Sequence, residues 1–276
     1  MNAVRRRFVP RLAVLAALAC AVAAPPLAAQ YPRSYPTPPA SELPQPEQPP
    51  LRACFLLSEL GGSELRRRPA EGCDRQVSPA ATFELAAALA ALDASVVRAT
   101  GASNGQTLES ALAYSSPEYF RDIDRQMGAT RMGEYLNRFG YGNADTRGGG
   151  EYWNGGSLRI SPNEQMRFLQ RLFGDQLPVS RQSMMSVRES LEPPGYVVSS
   201  RGRVIAASGA MTGGVPPMIK TGAVDADNES VRWQVGMLTR DNRKYVYVSC
   251  VTGPLGLAQN AAEIVASHEL RNAGVQ

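Results

Sequence analysis

The chain has 276 residues, with 29 basic and 25 acidic side chains and a formal net charge of +4. Much of the excess lies in the leader, at Arg5, Arg6, Arg7 and Arg11, so the remainder is close to neutral and mixes its charges. This distribution argues against a nucleic-acid-binding surface. The single histidine, His268, excludes a histidine metal cluster and gives no support to a Ser-His-Asp or Cys-His arrangement.

Residues 1–29 have the order of a secretory signal peptide: a basic start, an apolar run from Leu12 and a small-residue end. The apolar run is too short and too rich in alanine for a membrane span. We therefore predict cleavage near Ala23 or Ala29, export to the periplasm and no transmembrane segment afterwards. Cys20 weakly resembles a lipoprotein cleavage site, which leaves lipid attachment there as an alternative.

Two further regions follow the leader. Residues 30–50 are dense in proline and lack a hydrophobic period, which predicts an extended, semi-rigid linker. Residues 51–276 are numerous enough to bury a core and are predicted to form one domain.

Residues 52–69 are predicted to form a β-hairpin, because strand-like runs flank the glycine turn "GGS". Such a hairpin brings its two ends together, and disulfides persist in exported proteins, so the geometry allows a Cys54–Cys73 bridge. Whether these two cysteines pair stays open. Cys250, in the strand-like run "KYVYVSCV", is predicted to be a buried free thiol.

Residues 79–93 are predicted to form a buried helix, because apolar residues recur at helical spacing among alanines. Ser78 is a candidate N-cap, and Pro79 suits the first turn. Glu84, also near the helix start, suits the helix dipole and is a candidate ion-pair partner of Arg75.

The rest of the chain is predicted to run from helices to strands. Gly128 separates two helices and Gly140 ends the second, while Asp241 and Asn242 form the turn of a hairpin. The other predicted elements are helices in "SPNEQMRFLQRLFGDQ", "RQSMMSVRESL" and "GLAQNAAEIVASHELRN", and strands over 201–208 and 215–222. Strands at both ends of a helical middle predict an α+β domain whose one sheet is closed by the two ends of the chain.

The sequence offers little that could hold a metal or a cofactor. It has no paired C-x-x-C and no phosphate-binding glycine motif between a strand and a helix, so we predict neither. The segment "RGGGEYWNGG" is better interpreted as a flexible loop over a cleft than as a phosphate cradle. Of only two lysines, Lys220 lies in "MIKTGAV", where a strand edge can offer a cation, a hydroxyl and open backbone to a carboxylate-bearing ligand.

Several short stretches occur together and in order: "RQVSPAATFELAAALAALD", "AYSSPEYFRDIDRQMGATRMGEYLNRFGYGNAD", "YWNGGSLRISPNEQ" and "KTG". On these motifs the chain resembles the class D serine β-lactamases, a branch of the penicillin-recognising enzymes, from about residue 52 to 271. The resemblance implies a five-stranded antiparallel sheet flanked by helices, plus a helical subdomain, with the ligand cleft between them.

The resemblance also implies a mechanism, which this chain departs from. In the family a serine opens the buried helix as nucleophile, and a carboxylated lysine three residues later acts as base. The family pattern P-A-S-T-F-K reads here as "PAATFE", so Ala81 stands at the nucleophile position and Glu84 at the base position. No Ser-x-x-Lys occurs elsewhere. Pro117 replaces the usual valine after Ser115, and the family's late arginine falls near Gly256.

Other positions match the family. Ser115 corresponds to the serine of the second motif and is the remaining catalytic candidate. The residues that the resemblance places at the ligand are Tyr141, Asn143, Trp153, Lys220, Thr221, Gly222 and Ala223.

Three functional hypotheses remain open from the sequence. The first is an exported, catalytically degenerate protein that binds a β-lactam or a peptidoglycan-like ligand without efficient hydrolysis. The second is an active hydrolase that uses a displaced nucleophile, Ser78 or Thr82, or water activated by Glu84. The third is an envelope scaffold for protein interactions.

Overall fold

A computed structural model describes residues 48–99, 102–103, 105–191, 196–198, 204–206, 211–212 and 217–276. The leader, Cys20 and most of the linker lie outside the described residues, so the predictions about them stay predictions. Residues 47–276 form one compact unit. Within the described part of the chain, no helix combines the length and apolar character needed to cross a membrane.

The order of the elements agrees with the sequence prediction, with strands toward both ends and most helices between them. Seven helices and ten strands occur among the described residues. In chain order they are β1 (Arg52–Glu59), β2 (Glu64–Arg68), a 3-10 helix (Ala80–Phe83), α1 (Glu84–Asp93), β3 (Ala102–Ser103), β4 (Gln106–Thr107), α2 (Leu108–Tyr114), α3 (Pro117–Met127), α4 (Ala129–Phe139), α5 (Pro162–Phe173), α6 (Arg181–Glu189), β5 (Tyr196–Val198), β6 (Val204–Ala206), β7 (Met211–Thr212), β8 (Met218–Ala226), β9 (Glu229–Arg240), β10 (Arg243–Gly253) and α7 (Ala261–Asn272).

Five strands form one antiparallel sheet in the order β2-β1-β10-β9-β8. Strands near the beginning and the end of the described domain therefore share this sheet, which confirms the predicted α+β architecture. The turn between β9 and β10 contains Asp241 and Asn242, both in the left-handed region at φ 50° and 61°. These angles are typical of the type I′ turn that suits the twist of a hairpin.

The sheet is covered on both faces, and the alternation of side chains along β1 divides its residues between two cores. Phe55 and Leu57 pack in a cluster with Ala266 and Leu270 of α7. Leu56 lies in the larger core with the helical part of the molecule. Helix α1 lies within that larger core, because all its residues from Glu84 to Ala91 are buried.

Local signals placed most helix ends correctly. Gly128 separates α3 from α4, and Gly140 ends α4 in a left-handed conformation. The predicted helix in "SPNEQMRFLQRLFGDQ" is α5, and it begins with a capping box formed by Ser161 and Glu164. Helix α2 was not predicted, although Thr107 and Ser110 form a capping box at its start.

The glycine-rich segment 147–156 has two halves, since residues 147–150 are exposed and the second half packs against the core. Tyr152 and Trp153 are both buried. A Cβ added at Gly156 would lie 2.5 Å from the Cα of Tyr152, which leaves no room for a side chain. The glycines therefore permit a tight turn that brings two aromatic rings into the core.

The structure joins Cys54 to Cys73 in a disulfide, with 5.7 Å between the two Cα atoms. Cys250 is a buried free thiol, as predicted. It lies directly opposite Cys54 in the register of β1 and β10. Three cysteines thus share one part of the core.

We expect Cys73→Ser to re-pair Cys54 with Cys250 when the purified protein is treated with oxidised glutathione. Opposite residues in antiparallel strands have Cα atoms about 4.5–5.5 Å apart, which falls within the range that disulfides span. Peptide mapping without reduction measures the bond. The Cys250→Ser variant is the control and should keep Cys54–Cys73. Two free thiols in the oxidised Cys73→Ser variant would contradict the expectation.

Candidate functional site

The start of the buried helix is anchored by Ser78, whose strongest hydrogen bonds go to a neighbouring turn. The Ser78 hydroxyl donates to the carbonyl of Trp153 at 2.7 Å and accepts from the N–H of Gly155 at 2.9 Å. The cap position of the 3-10 helix is Pro79, so the predicted N-cap at Ser78 reduces to a long hydrogen bond of 3.5 Å that its hydroxyl accepts from the N–H of Ala80. Ser78 instead ties the helix start to the 152–155 turn, and Ala80 adopts the left-handed region at φ 47°.

Strand β8 runs directly against this helix start. A Cβ added at Gly222 would lie 3.1 Å from the backbone nitrogens of Ala81 and Thr82. Only glycine permits this approach without a shift of one element. The structure therefore brings together two positions that the sequence singled out, Ala81 and Gly222. Ala81 is half-buried and carries only a methyl group.

A buried ion pair lies one turn further along the helix. The Nζ atom of Lys220 is 2.5 Å from Oε2 of Glu84, and each residue is only 4% exposed. The same ammonium donates to the carbonyl of Leu112 at 2.6 Å and to the hydroxyl of Ser115 at 2.8 Å. All three ammonium protons thus have acceptors.

Burial and pairing act in opposite directions on the two ionisable groups. Burial raises the pKa of Glu84 to about 7, against the charge and hydrogen bond of Lys220 and a hydrogen bond from Ser115. Burial lowers the pKa of Lys220, against the charge of Glu84. The Glu84 carboxyl therefore changes its protonation state near neutral pH.

The predicted ion pair between Glu84 and Arg75 is wrong. Arg75 forms an ion pair with Glu229 at 2.6 Å and donates to the hydroxyl of Thr252 at 3.2 Å. Glu84 pairs with Lys220 instead, because Lys220 projects inward from β8. Arg75 lies beside Glu229, at the start of β9.

Ser115 completes this cluster of Glu84, Lys220 and Ser115. It follows the last residue of α2 and has a left-handed backbone, with φ 48° and ψ 58°. Its N–H donates to the carbonyl of Ala111, which fixes the turn to the helix. Ser115 is half-buried.

Alternation along β8 divides the Lys-Thr-Gly-Ala run between two faces. Lys220 and Gly222 are buried, whereas Thr221 and Ala223 are exposed. Among the described residues, β8 is the last strand of the sheet and no strand pairs with its outer edge. The Thr221 side chain is exposed, whereas the Lys220 cation is already paired.

Two other predicted ligand residues, Tyr141 and Trp153, form supporting structure. Tyr141 is fully buried and packs its ring against Phe83 and Phe168, and burial raises its pKa. Trp153 is buried and stacks on Phe83 with ring centroids 5.0 Å apart. These positions favour a role in holding the helix start rather than in direct contact with a ligand.

Asn143 connects two loops through its side-chain amide. Its Nδ2 donates to the carbonyl of Ser157 at 2.9 Å, and its Oδ1 accepts from the N–H of Arg159 at 3.0 Å. Both ends of the amide are thus used within the loops.

The two displaced nucleophiles considered from the sequence are unsuited to attack. Thr82 is fully buried, and its hydroxyl donates to the carbonyl of Pro79 at 2.6 Å. Ser78 is also buried and is bound as described above. The described residues contain no group of three or more side chains that could hold a metal ion.

Sequence reasoning missed two contributors to this region. The carbonyl of Leu112 belongs to α2, which was not predicted. Arg232 is 1% exposed and donates to the carbonyl of Leu257 at 2.7 Å while pairing with Asp225 at 2.7 Å. It joins β8 and β9 to the segment around Gly256. A charged residue inside a mostly apolar strand was the available signal.

Comparison with known proteins agrees with this fold. Residues 63–270 match the family model described as penicillin binding protein transpeptidase domain, so the chain belongs to that family. Within it, the chain is similar in sequence to several β-lactamases and similar in fold to class D β-lactamases and a penicillin receptor.

Three relatives illustrate the match. Beta-lactamase OXA-48 of Klebsiella pneumoniae is 29% identical over 210 residues, covering 69% of this chain and 73% of the relative. Beta-lactamase OXA-10 of Pseudomonas aeruginosa is 26% identical over 215 residues, covering 71% and 75%. Regulatory protein BlaR1 of Bacillus licheniformis is 27% identical over 206 residues, covering 69% of this chain but 32% of the relative.

Solved structures share the fold. Class D beta-lactamase BAT-2 superposes with a TM-score of 0.64 at 23% identity, covering 82% of this chain and 93% of that chain. The C-terminal domain of the Bacillus licheniformis BlaR penicillin receptor superposes with a TM-score of 0.65 at 22% identity, covering 82% and 92%.

Proposed function

We propose that this protein is an exported, catalytically degenerate member of its family that binds a β-lactam or a peptidoglycan-like peptide without efficient hydrolysis. The observation that carries the proposal is the Glu84–Lys220 ion pair beside Ala81. A methyl group replaces the nucleophile at the helix start, and the carboxylate that replaces the base is paired with the lysine of the Lys-Thr-Gly run.

The expected loss of turnover is large. Removing the nucleophile from a cooperating catalytic set costs on the order of a millionfold in rate. Preorganised donors alone retain roughly a thousandfold over water. Such a remainder is too small to protect a cell from an antibiotic, and a binding role is compatible with it.

Ligand recognition is assigned to the outer edge of β8. The Lys220 ammonium is occupied, so the exposed Thr221 and the backbone at Ala223 are the groups that a peptide-like ligand meets first. An extended peptide can add to an open strand edge through its main chain. Tyr141, Asn143 and Trp153 support the site from behind.

Export and domain boundaries are part of the same proposal. Residues 1–29 act as a signal peptide for the periplasm, residues 30–50 as a linker, and residues 51–276 as the binding domain. The Cys54–Cys73 disulfide supports an oxidising compartment. Lipid attachment at Cys20 is the alternative form of the mature protein.

The test measures thermal stabilisation of the mature chain by benzylpenicillin and, separately, by a D-alanyl-D-alanine peptide at millimolar concentration. We expect a rise in Tm with at least one ligand and no detectable turnover of a chromogenic cephalosporin. Thr221→Val should weaken the rise, whereas Thr130→Val, an exposed threonine on α4, serves as the matched control. The absence of any shift with both ligands would remove the proposal.

A further inference from the structure

Among the serines and threonines near the start of the buried helix, Ser115 is distinguished by its backbone conformation. It is a non-glycine residue in the left-handed region, which costs free energy and persists only where surrounding structure enforces it. Helix α2 enforces it here through the bond to Ala111. A left-handed residue at the end of a helix is usually glycine, so a serine in this place is uncommon.

The hydroxyl of Ser115 accepts a hydrogen bond from a cation. The Nζ atom of Lys220 lies 2.8 Å from Oγ, and the other two ammonium protons are held by Glu84 and by the carbonyl of Leu112. The ammonium is therefore fixed in direction. A fixed positive charge beside a hydroxyl stabilises the alkoxide that forms on deprotonation.

The same hydroxyl has an acceptor for its proton. Glu84 and Ser115 share one ammonium, since Nζ of Lys220 lies 2.5 Å from Oε2 of Glu84 and 2.8 Å from Oγ of Ser115. The carboxylate is therefore beside the Ser115 hydroxyl, and Ser115 acts to lower the pKa of Glu84. An ionised carboxylate can only accept, so it can take the proton that the hydroxyl gives up. The raised pKa of Glu84, about 7, suits a base that works near neutral pH.

We propose that Ser115 is a reactive acyl-accepting nucleophile, with Glu84 as its general base and Lys220 as the charge that stabilises its alkoxide. The proposal deepens the proposed function, because it rests on a strained-lactam or ester ligand reaching this same site. It gives Ser115 a role different from that of the lost nucleophile at position 81.

The step balances with the groups present. Ser115 Oγ forms a bond to the carbonyl carbon of the lactam, and its proton passes to the Glu84 carboxylate. The carbon–nitrogen bond of the lactam then breaks, and the proton on Glu84 passes to the departing nitrogen. The product is an acyl ester on Ser115, and no oxidant, metal or further reactant is needed.

The experiment uses the mature protein with two probes of different shape. Benzylpenicillin tests acylation by the proposed ligand class, and a small alkyl fluorophosphonate tests hydroxyl reactivity alone, with fluoride as leaving group. Intact mass and peptide mapping locate any adduct. We expect a mass gain on Ser115 that disappears in Ser115→Ala and persists in Ser116→Ala, whose hydroxyl instead donates to Gln106 at 2.7 Å.

The role of Glu84 as general base is tested by the rate at which Ser115 is labelled. The labelling rate of the wild type should rise with pH through about 7, because Glu84 must be ionised to accept the proton. Glu84→Gln should slow labelling by about a hundredfold or more and remove this rise. If Glu84→Gln does not fold, the pH profile of the wild type provides the same test, and a flat profile contradicts the proposal.

The outcomes separate this proposal from the proposed function. Labelling of Ser115 by the fluorophosphonate without any effect of penicillin supports the nucleophile and removes the β-lactam as ligand. Thermal stabilisation by penicillin with no adduct from either probe supports ligand binding and overturns the nucleophile. An adduct on any other residue also overturns it.

Discussion

The double variant Ala81→Ser with Glu84→Lys is expected to be acylated by benzylpenicillin at position 81, at a rate about a thousandfold or more above any background. The reason is that a lost nucleophile is the largest single deficit of the site, on the order of a millionfold. Position 81 is half-buried at the helix start, and positions 81 and 84 are spaced to share one helix face.

The gain should depend on bicarbonate. An uncharged or cationic lysine at position 84 cannot replace the negative charge that Glu84 now sets against Lys220. Carboxylation of the new amine, which takes up carbon dioxide and releases a proton, restores an anion there. Acylation measured by intact mass should therefore rise on addition of bicarbonate and fall on its removal.

The single variants are the controls. Glu84→Lys alone should give no adduct at position 81, and Ala81→Ser alone reports whether Glu84 can act as base for the new hydroxyl. A folded double variant that remains unmodified at position 81 in bicarbonate would count against the assigned geometry of the helix start.

The second large effect concerns stability. Lys220→Met is expected to lower the free energy of unfolding by about 3–5 kcal/mol at pH 8.5, because it leaves the Glu84 carboxylate buried without its cation. The loss should be smaller at pH 5. Urea unfolding at both pH values measures it.

The direction of the pH effect follows from Glu84. Burial raises its folded-state pKa from 4.5 to about 7, and removal of Lys220 raises it further, since Lys220 lowers it. A raised carboxyl pKa favours the folded state below the unfolded pKa, and this contribution is lost as pH rises through the folded pKa. At pH 5 the carboxyl of the variant is therefore neutral and is tolerated by the core.

Two comparisons check this expectation. Lys244→Met replaces the other lysine, which is exposed, and should change stability by less than about 0.5 kcal/mol. Lys220→Met combined with Glu84→Leu should recover most of the loss, because apolar replacement of a whole buried pair is often neutral. Equal losses for Lys220→Met at pH 5 and pH 8.5 would show that charge is not the cause.

The elements were predictable where their signals are local. Gly128 and Gly140 mark helix ends because glycine adopts a left-handed backbone without strain, and Ser161 with Glu164 marks a helix start. Helix α2 was not predicted, because its seven residues are too few to display a hydrophobic period.

The site was less predictable because its contacts are distant in sequence. Glu84 and Lys220 are separated by 136 positions, and no local pattern states which of several cations a buried carboxylate will meet. The nearer Arg75 was the natural candidate, and it pairs with Glu229. The resemblance transfers positions such as Tyr141 from one chain to another, but it carries no information about how deeply their side chains are buried.

The pairing of Glu84 with Lys220 also bears on the descent of this protein. If its ancestors carried a serine and a lysine at positions 81 and 84, as the resemblance implies, a return that begins at position 84 removes the partner of Lys220 until carboxylation restores an anion there. A return that begins at position 81 gains its full benefit only after position 84 has changed. The ion pair therefore makes reversion to the old role less favourable than further divergence toward a new one.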